Sequence, residues 1–209
     1  VQVWGNLREM MREGRTEARV AIASALATPH LYAVGAVAGM RGEITVIDGA
    51  VWLALGARDA GRATVGAADE SAALLVASHV AHWSRVTLAE DIPFAKLDQQ
   101  IEALAAAAGI DVDKPFPFLV EGPLADAHWH VLVGPPSAAA PHDHAGNAVT
   151  GDQVAITGTL VGFFSKHHHG AFTHMGQNIH AHLVSPSLAL AAHVDQITIG
   201  ASSVLALPR

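Results

Sequence analysis

His180 and His182 are separated by a single residue, and His193 follows in the next apolar stretch of the chain. Neutral imidazoles are ligands for divalent transition metals, so their spacing matters more than their number. In an extended strand successive side chains alternate between faces, which puts His180 and His182 on one face and Ile179, Ala181 and Leu183 on the other. Ser185, Pro186 and Ser187 mark a turn, and residues 188–194 read as a second strand carrying His193. An antiparallel return that sets His193 opposite His182 or His180 gathers all three rings, whereas a one-residue slip scatters them. Three nitrogen ligands with no fourth nearby describe a site with an open coordination position, the pattern of catalytic and not structural zinc. The competing reading is a His-rich, half-buried hairpin that holds no ion.

The histidines are regional. Of the 14 in the chain, all but His30, His79 and His82 lie at or beyond His128. His128 and His130 form a second pair on a strand face, and His142 and His144 a third pair in a loop. His167, His168, His169 and His174 sit in another exposed loop. His79 and His82, without an acidic partner in the sequence, read as packed or surface residues. With no cysteine, thiolate nucleophiles and thiolate ligands are excluded. A formal charge of −7 offers nucleic acid no electrostatic grip. No apolar run is long enough for a helical membrane span. The absence of cysteine and the non-methionine first residue suit a chain whose leader has been removed, so an exported or periplasmic location is expected over a cytoplasmic one.

The surrounding elements must position these groups. Asn6 is placed to cap a helix over 7–27, interrupted at Gly14, whose mixed arginines and glutamates read as a solvated face. Asp48-Gly49 between two strand-like runs predicts a hairpin, with Glu43 at the start of its first strand. Residues 70–86 fit a buried helix or a strand pair equally. Leu97, Ile101, Leu104 and Ala108 have helical spacing, closed by Gly109. Residues 111–117 form a turn-rich connection, and 118–133 read as strand, turn, strand about Gly122-Pro123. The expectation is an α+β fold: mixed or antiparallel β-sheets in two closely packed, co-folding lobes (1–112 and 113–209), with a few helices and the metal site on a C-terminal β-hairpin.

Four segments, in order, carry a family resemblance: Gly42-Glu43-Ile44-Thr45-Val46-Ile47-Asp48-Gly49; Val120-Glu121-Gly122; Gly158-Thr159-Leu160-Val161-Gly162-Phe163; and the set His180, His182, His193. The chain resembles the alpha-acetolactate decarboxylases from about Leu31 to about Val194. The resemblance implies a zinc-dependent lyase that removes carbon dioxide from 2-acetolactate, a small oxo acid, to give acetoin, and it implies a homodimer. His180, His182 and His193 then hold Zn2+, and Glu43 handles a proton.

Two departures accompany the resemblance. The family places an arginine where this chain has His130, and a histidine gives a carboxylate one contact point and a conditional charge. A second family glutamate finds no counterpart in the residues after His193. His130 is therefore the candidate for the arginine's role and His174 a candidate proton donor, although either as a fourth ligand would close the site. The alternative to the lyase is a non-catalytic His-rich zinc or copper protein. Glu43 separates the two: it approaches the metal cavity in one and faces water in the other.

Overall fold

The computed structural model describes residues 1–56, 62–66, 69–135 and 147–209. His142 and His144 lie outside the described residues. Strands dominate and pair antiparallel in two sheets, as the α+β expectation requires.

The first sheet is built around the runs that alternate toward a buried face. β3 (Leu31–Val37), β4 (Glu43–Ile47) and β5 (Ala50–Ala54) form a meander extended by β6 (Ala63–Val65), with β7 (Ser71–His79) on the other side of β3 and the short β1 (Gln2–Trp4) and β2 (Val20–Ala21) paired to β7. A further short strand, β9 (Ile92–Pro93), lies at an edge of the second sheet. Asp48-Gly49 makes the expected tight turn: both residues have positive φ (49° and 80°), the geometry that matches strand twist. Residues 71–79 resolve as strand, and the chain changes sheet between His79 and β8 (Trp83–Thr87), which pairs with the C-terminal β14 (Val204–Pro208). The sequence places its lobe division later, at 112/113. The helix before that point, Phe94–Ala107, packs its Leu97, Ile101 and Ala105 into the core of the second sheet.

The second sheet contains two long strands, β10 (Phe116–Leu132) and β11 (Ala148–Phe164), followed by β12 (Ile179–Ser185) and β13 (Leu190–Ile199). β10 also pairs with β13, so the pairings run round a closed circuit, β10–β11–β12–β13–β10. The reversal expected at Gly122-Pro123 does not occur. β10 continues straight through it, still paired to β11, and changes its other neighbour there from β14 to β13. Proline has no N–H to lose at such a handover. Its carbonyl accepts from Gly200 N and Ser203 Oγ (2.9 and 2.7 Å), so both backbone groups are accounted for without a turn.

The N-terminal helical region is shorter than its sequence suggests. Helix α1 (Leu7–Glu13) is capped by Asn6, whose Oδ1 accepts from Glu9 N, and stops at the left-handed Gly14. Helical structure resumes only over Ile22–Ala25. Among the described residues, no helix is long and apolar enough to cross a membrane.

Gly162 of β11 faces Phe118 of β10 across the pair, and a Cβ there would sit 2.2 Å from the Phe118 ring. Gly162→Ala is expected to destabilise the protein by about 1–3 kcal/mol through overpacking, measured by urea unfolding. Adding Phe118→Leu should recover part of the loss.

Candidate metal centre

The β12–β13 hairpin closes through a turn at Pro186–Leu188 and a left-handed Ala189, which fixes its register. That register sets His182 opposite His193, and β10 sets His130 opposite His193 on the other side. Three imidazoles thus stand in a row across three strands, with ring centroids 5.4 Å (182 to 193) and 4.6 Å (130 to 193) apart. His180 shares the face of His182, as its spacing requires, while Ile179, Ala181 and Leu183 enter the apolar core. One ring nitrogen from each of His180, His182 and His193 lies within 4.8 Å of the others, and all three side chains are buried.

The opposite wall comes from the first sheet. In β4, Ile44 and Val46 face that sheet's own core, so Glu43 and Thr45 face the second sheet. Thr45 Oγ1 is 3.0 Å from His182 Nδ1, which orients the ring and turns Nε2 inward. His182 Nε2 and His180 Nδ1 are buried with no hydrogen-bond partner. An unsatisfied buried polar atom costs about 1–3 kcal/mol, and two in one cluster are what a shared cation would satisfy. Burial holds His180 down to about 3, and it holds His182 and His193 well below the ordinary imidazole range, with neighbouring histidines adding to the effect. All three are therefore neutral, the form that binds metal.

Glu43 does not face water. It is 3 % exposed, and its Oε1 accepts from Leu132 N at 3.3 Å. Burial pushes its carboxyl up to about 8, so it carries a proton at neutral pH. Its Oε2 is 3.6 Å from His182 Nε2, too long for a hydrogen bond, and with both groups neutral the contact is no ion pair. His130 Nδ1 lies 3.0 and 2.9 Å from the two oxygens of Asp195. Burial alone lowers the His130 imidazole, but its hydrogen bond to Asp195, backed by the Asp195 carboxylate charge, outweighs burial and raises it. Glu43, His130, His180, His193 and Asp195 all line one cavity of about 700 Å³.

Asp195 was not singled out from the sequence, yet a signal is present. Ala192 and Val194 before it, and Ile197 and Ile199 after it, all enter the same core. Apolar residues on one face cannot change from even to odd positions unless the strand bulges, and the pairing does slip there: His128 opposes Gln196 while Trp129 opposes Val194. Asp195 is the extra residue, held on the face of His193.

His174, from the loop after β11, comes close to the triad, its ring 5.2 Å from His193 and 6.4 Å from His180. The histidines at 167–169 in the same loop do not converge. His168 Nδ1 is 2.7 Å from Ser165 Oγ, His169 Nε2 is 2.9 Å from Asn178 Oδ1, and His167 faces Asp113. His128 pairs with Asp152 at 2.8 Å, and His79 with the Pro29 carbonyl. The arginines in and just after α1 divide in a way the sequence did not show. Arg15 pairs with Glu9 and Glu13 at the surface, whereas Arg8 and Arg12 line the cavity.

The chain matches the family model of alpha-acetolactate decarboxylase over residues 10–207. Among the solved structures it is similar to, three align over almost the whole of this chain. One is a protein of unknown function similar to alpha-acetolactate decarboxylase from Staphylococcus aureus (16% identity, TM-score 0.77, covering 99% of this chain and 84% of that one). The second is acetolactate decarboxylase from Bacillus subtilis subspecies spizizenii (10% identity, TM-score 0.80, 100% and 86%). The third is alpha-acetolactate decarboxylase from Bacillus subtilis strain 168 (10% identity, TM-score 0.78, 100% and 86%). At these identities the likeness is one of fold. No curated protein matches significantly.

Burial of these groups sets the pH dependence of the metal-free protein. Unfolded, the three imidazoles take up protons below about pH 6.5; folded, they stay neutral, so each removes about 1.4 kcal/mol of stability per pH unit below that point. Glu43 acts in the opposite sense, because the fold retains a proton that the unfolded chain releases above its ordinary 4.5, and stability declines as pH rises toward about 8. The melting temperature of the metal-free protein is expected to peak near pH 6.5 and fall steeply toward pH 5. A flat profile from pH 5 to 8 would contradict the burial described.

Proposed function

The chain belongs to the alpha-acetolactate decarboxylase family, and from that membership we propose that it is a zinc-dependent carbon–carbon lyase converting 2-acetolactate to acetoin and carbon dioxide. The observation that carries the reading is the buried triad of neutral imidazoles, two with unsatisfied nitrogens, beside a protonated carboxyl that shares a cavity with His180 and His193. His180, His182 and His193 would hold the ion. Nitrogen donors also suit copper, nickel and iron, and zinc is taken from the family. Bound there, zinc supplies Lewis acidity toward the oxygens of a hydroxy-ketone.

The remaining chemistry belongs to the chain itself. Cleavage of the bond between the carboxylate carbon and the hydroxyl-bearing carbon releases carbon dioxide and leaves an electron pair that must receive one proton. Glu43 carries such a proton at neutral pH because its surroundings are dry, the same cause that keeps catalytic carboxylic acids protonated elsewhere. His130, tied to Asp195, is a second candidate proton donor on the wall, and His174 a third. The apolar parts of Leu7, Met10 and Leu132 line the rest and limit access of water to the site.

An acetoin assay on zinc-loaded protein with racemic 2-acetolactate tests the reading. His182→Ala is expected to abolish both metal retention and turnover. Glu43→Gln should keep the metal and lower kcat by about 10²–10⁴-fold, the usual worth of a positioned acid. Full zinc occupancy with no turnover in the unmodified protein would support a non-catalytic metal-binding protein instead.

A further inference from the structure

A cavity that accepts an anionic acid needs a cation, and the position the family gives to an arginine is held here by His130. That histidine is committed to Asp195, and His128 to Asp152. Glu43 and Asp195 add carboxyl groups to the wall and no positive charge. Arg8 and Arg12 are the lysine or arginine residues on the wall among the described residues, and neither makes an ion pair there.

Their placement follows from the helix that carries them. Four residues apart, they fall on one face of α1. The helix is fixed by Leu7 and Met10, which pack against Ala36, Met40, Leu74 and Leu132. Its first turn donates Leu7 N to Ala171 O (2.7 Å) and Arg8 N to Gly170 O (2.8 Å), joining it to the loop that brings His174 to the triad. Asn6 and Gly14 end the helix on either side. Arg15, one residue beyond Gly14, belongs to a surface network with Glu9 and Glu13, so the split between cavity and solvent is made within a single turn.

We propose that Arg8 and Arg12 of α1 recognise the substrate's carboxylate, replacing from a different element the charge that the strand position of His130 no longer supplies. The inference rests on the lyase reading for the identity of the substrate, a small 2-hydroxy-3-oxo acid. A guanidinium stays charged across the working pH range and offers two parallel donors to a carboxylate.

The test separates binding from turnover. Zinc-loaded full chain is titrated calorimetrically with 2-hydroxyisobutyrate, an unreactive 2-hydroxy acid, and with acetoin, which lacks the carboxylate. The double variant Arg8→Gln/Arg12→Gln is expected to bind the acid at least 10-fold more weakly, with acetoin and zinc affinities unchanged. Arg8→Lys/Arg12→Lys should recover part of the affinity, and Arg15→Gln should match the unmodified protein. With 2-acetolactate, the double variant should raise KM more than it lowers kcat. Arginine-dependent binding of the acid without any turnover would leave this assignment standing and remove the lyase reading. Turnover with a KM indifferent to both arginines, or no binding of the acid by the unmodified protein, would overturn it.

Discussion

Imidazoles inside a protein must find partners for their nitrogens, and here one nitrogen each of His180 and His182 finds no hydrogen bond among the described residues. His180, His182 and His193 are buried in a seam between two sheets, in a register that cannot move by one residue without sending the hairpin's core side chains to the wrong face. The same pairing that buries Leu183 and Ala192 therefore holds the rings together. A cluster of this kind is unstable to acid and leaves nitrogens that a cation could satisfy, and both properties come from the one act of burial.

The site is shared between the layers. The second sheet supplies the nitrogen donors along with His130 and Asp195. The first contributes Thr45 to orient His182 and Glu43 as a protonated acid, and α1 with its adjoining loop forms the remaining wall. The contact of β4 with β13 joins the two halves. An acid that must stay protonated and bases that must stay neutral want the same surroundings, so a single dry pocket serves both. Charge is brought in where it can reach water, on the exposed helix.

Much of this was legible in order along the chain. His180 and His182 share a face because strands have a period of two, and the Asp48-Gly49 turn fixes the hairpin that delivers Glu43. The pairing of His193 with His182 required only a short turn between two apolar runs. Other features depended on tertiary placement. Arg8 and Arg15 look alike in the sequence, and only the docking of α1 on Leu74 and Leu132 decides which one meets the cavity. Gly122-Pro123 has the residues of a turn, yet it marks a change of neighbour within one long strand because β11 pairs with both sides of it. Asp195 was hidden by a bulge whose trace, a phase change in the apolar pattern from Val194 to Ile197, was present in the sequence.

The most direct measurement is zinc-edge X-ray absorption on the protein loaded with one equivalent of zinc. Three imidazole nitrogens and one non-protein oxygen, at about 2.0–2.1 Å, are expected from a triad with a vacant side. A first shell of four protein ligands, as would arise if His174 or His130 entered it, or failure to retain one zinc per chain, would contradict it.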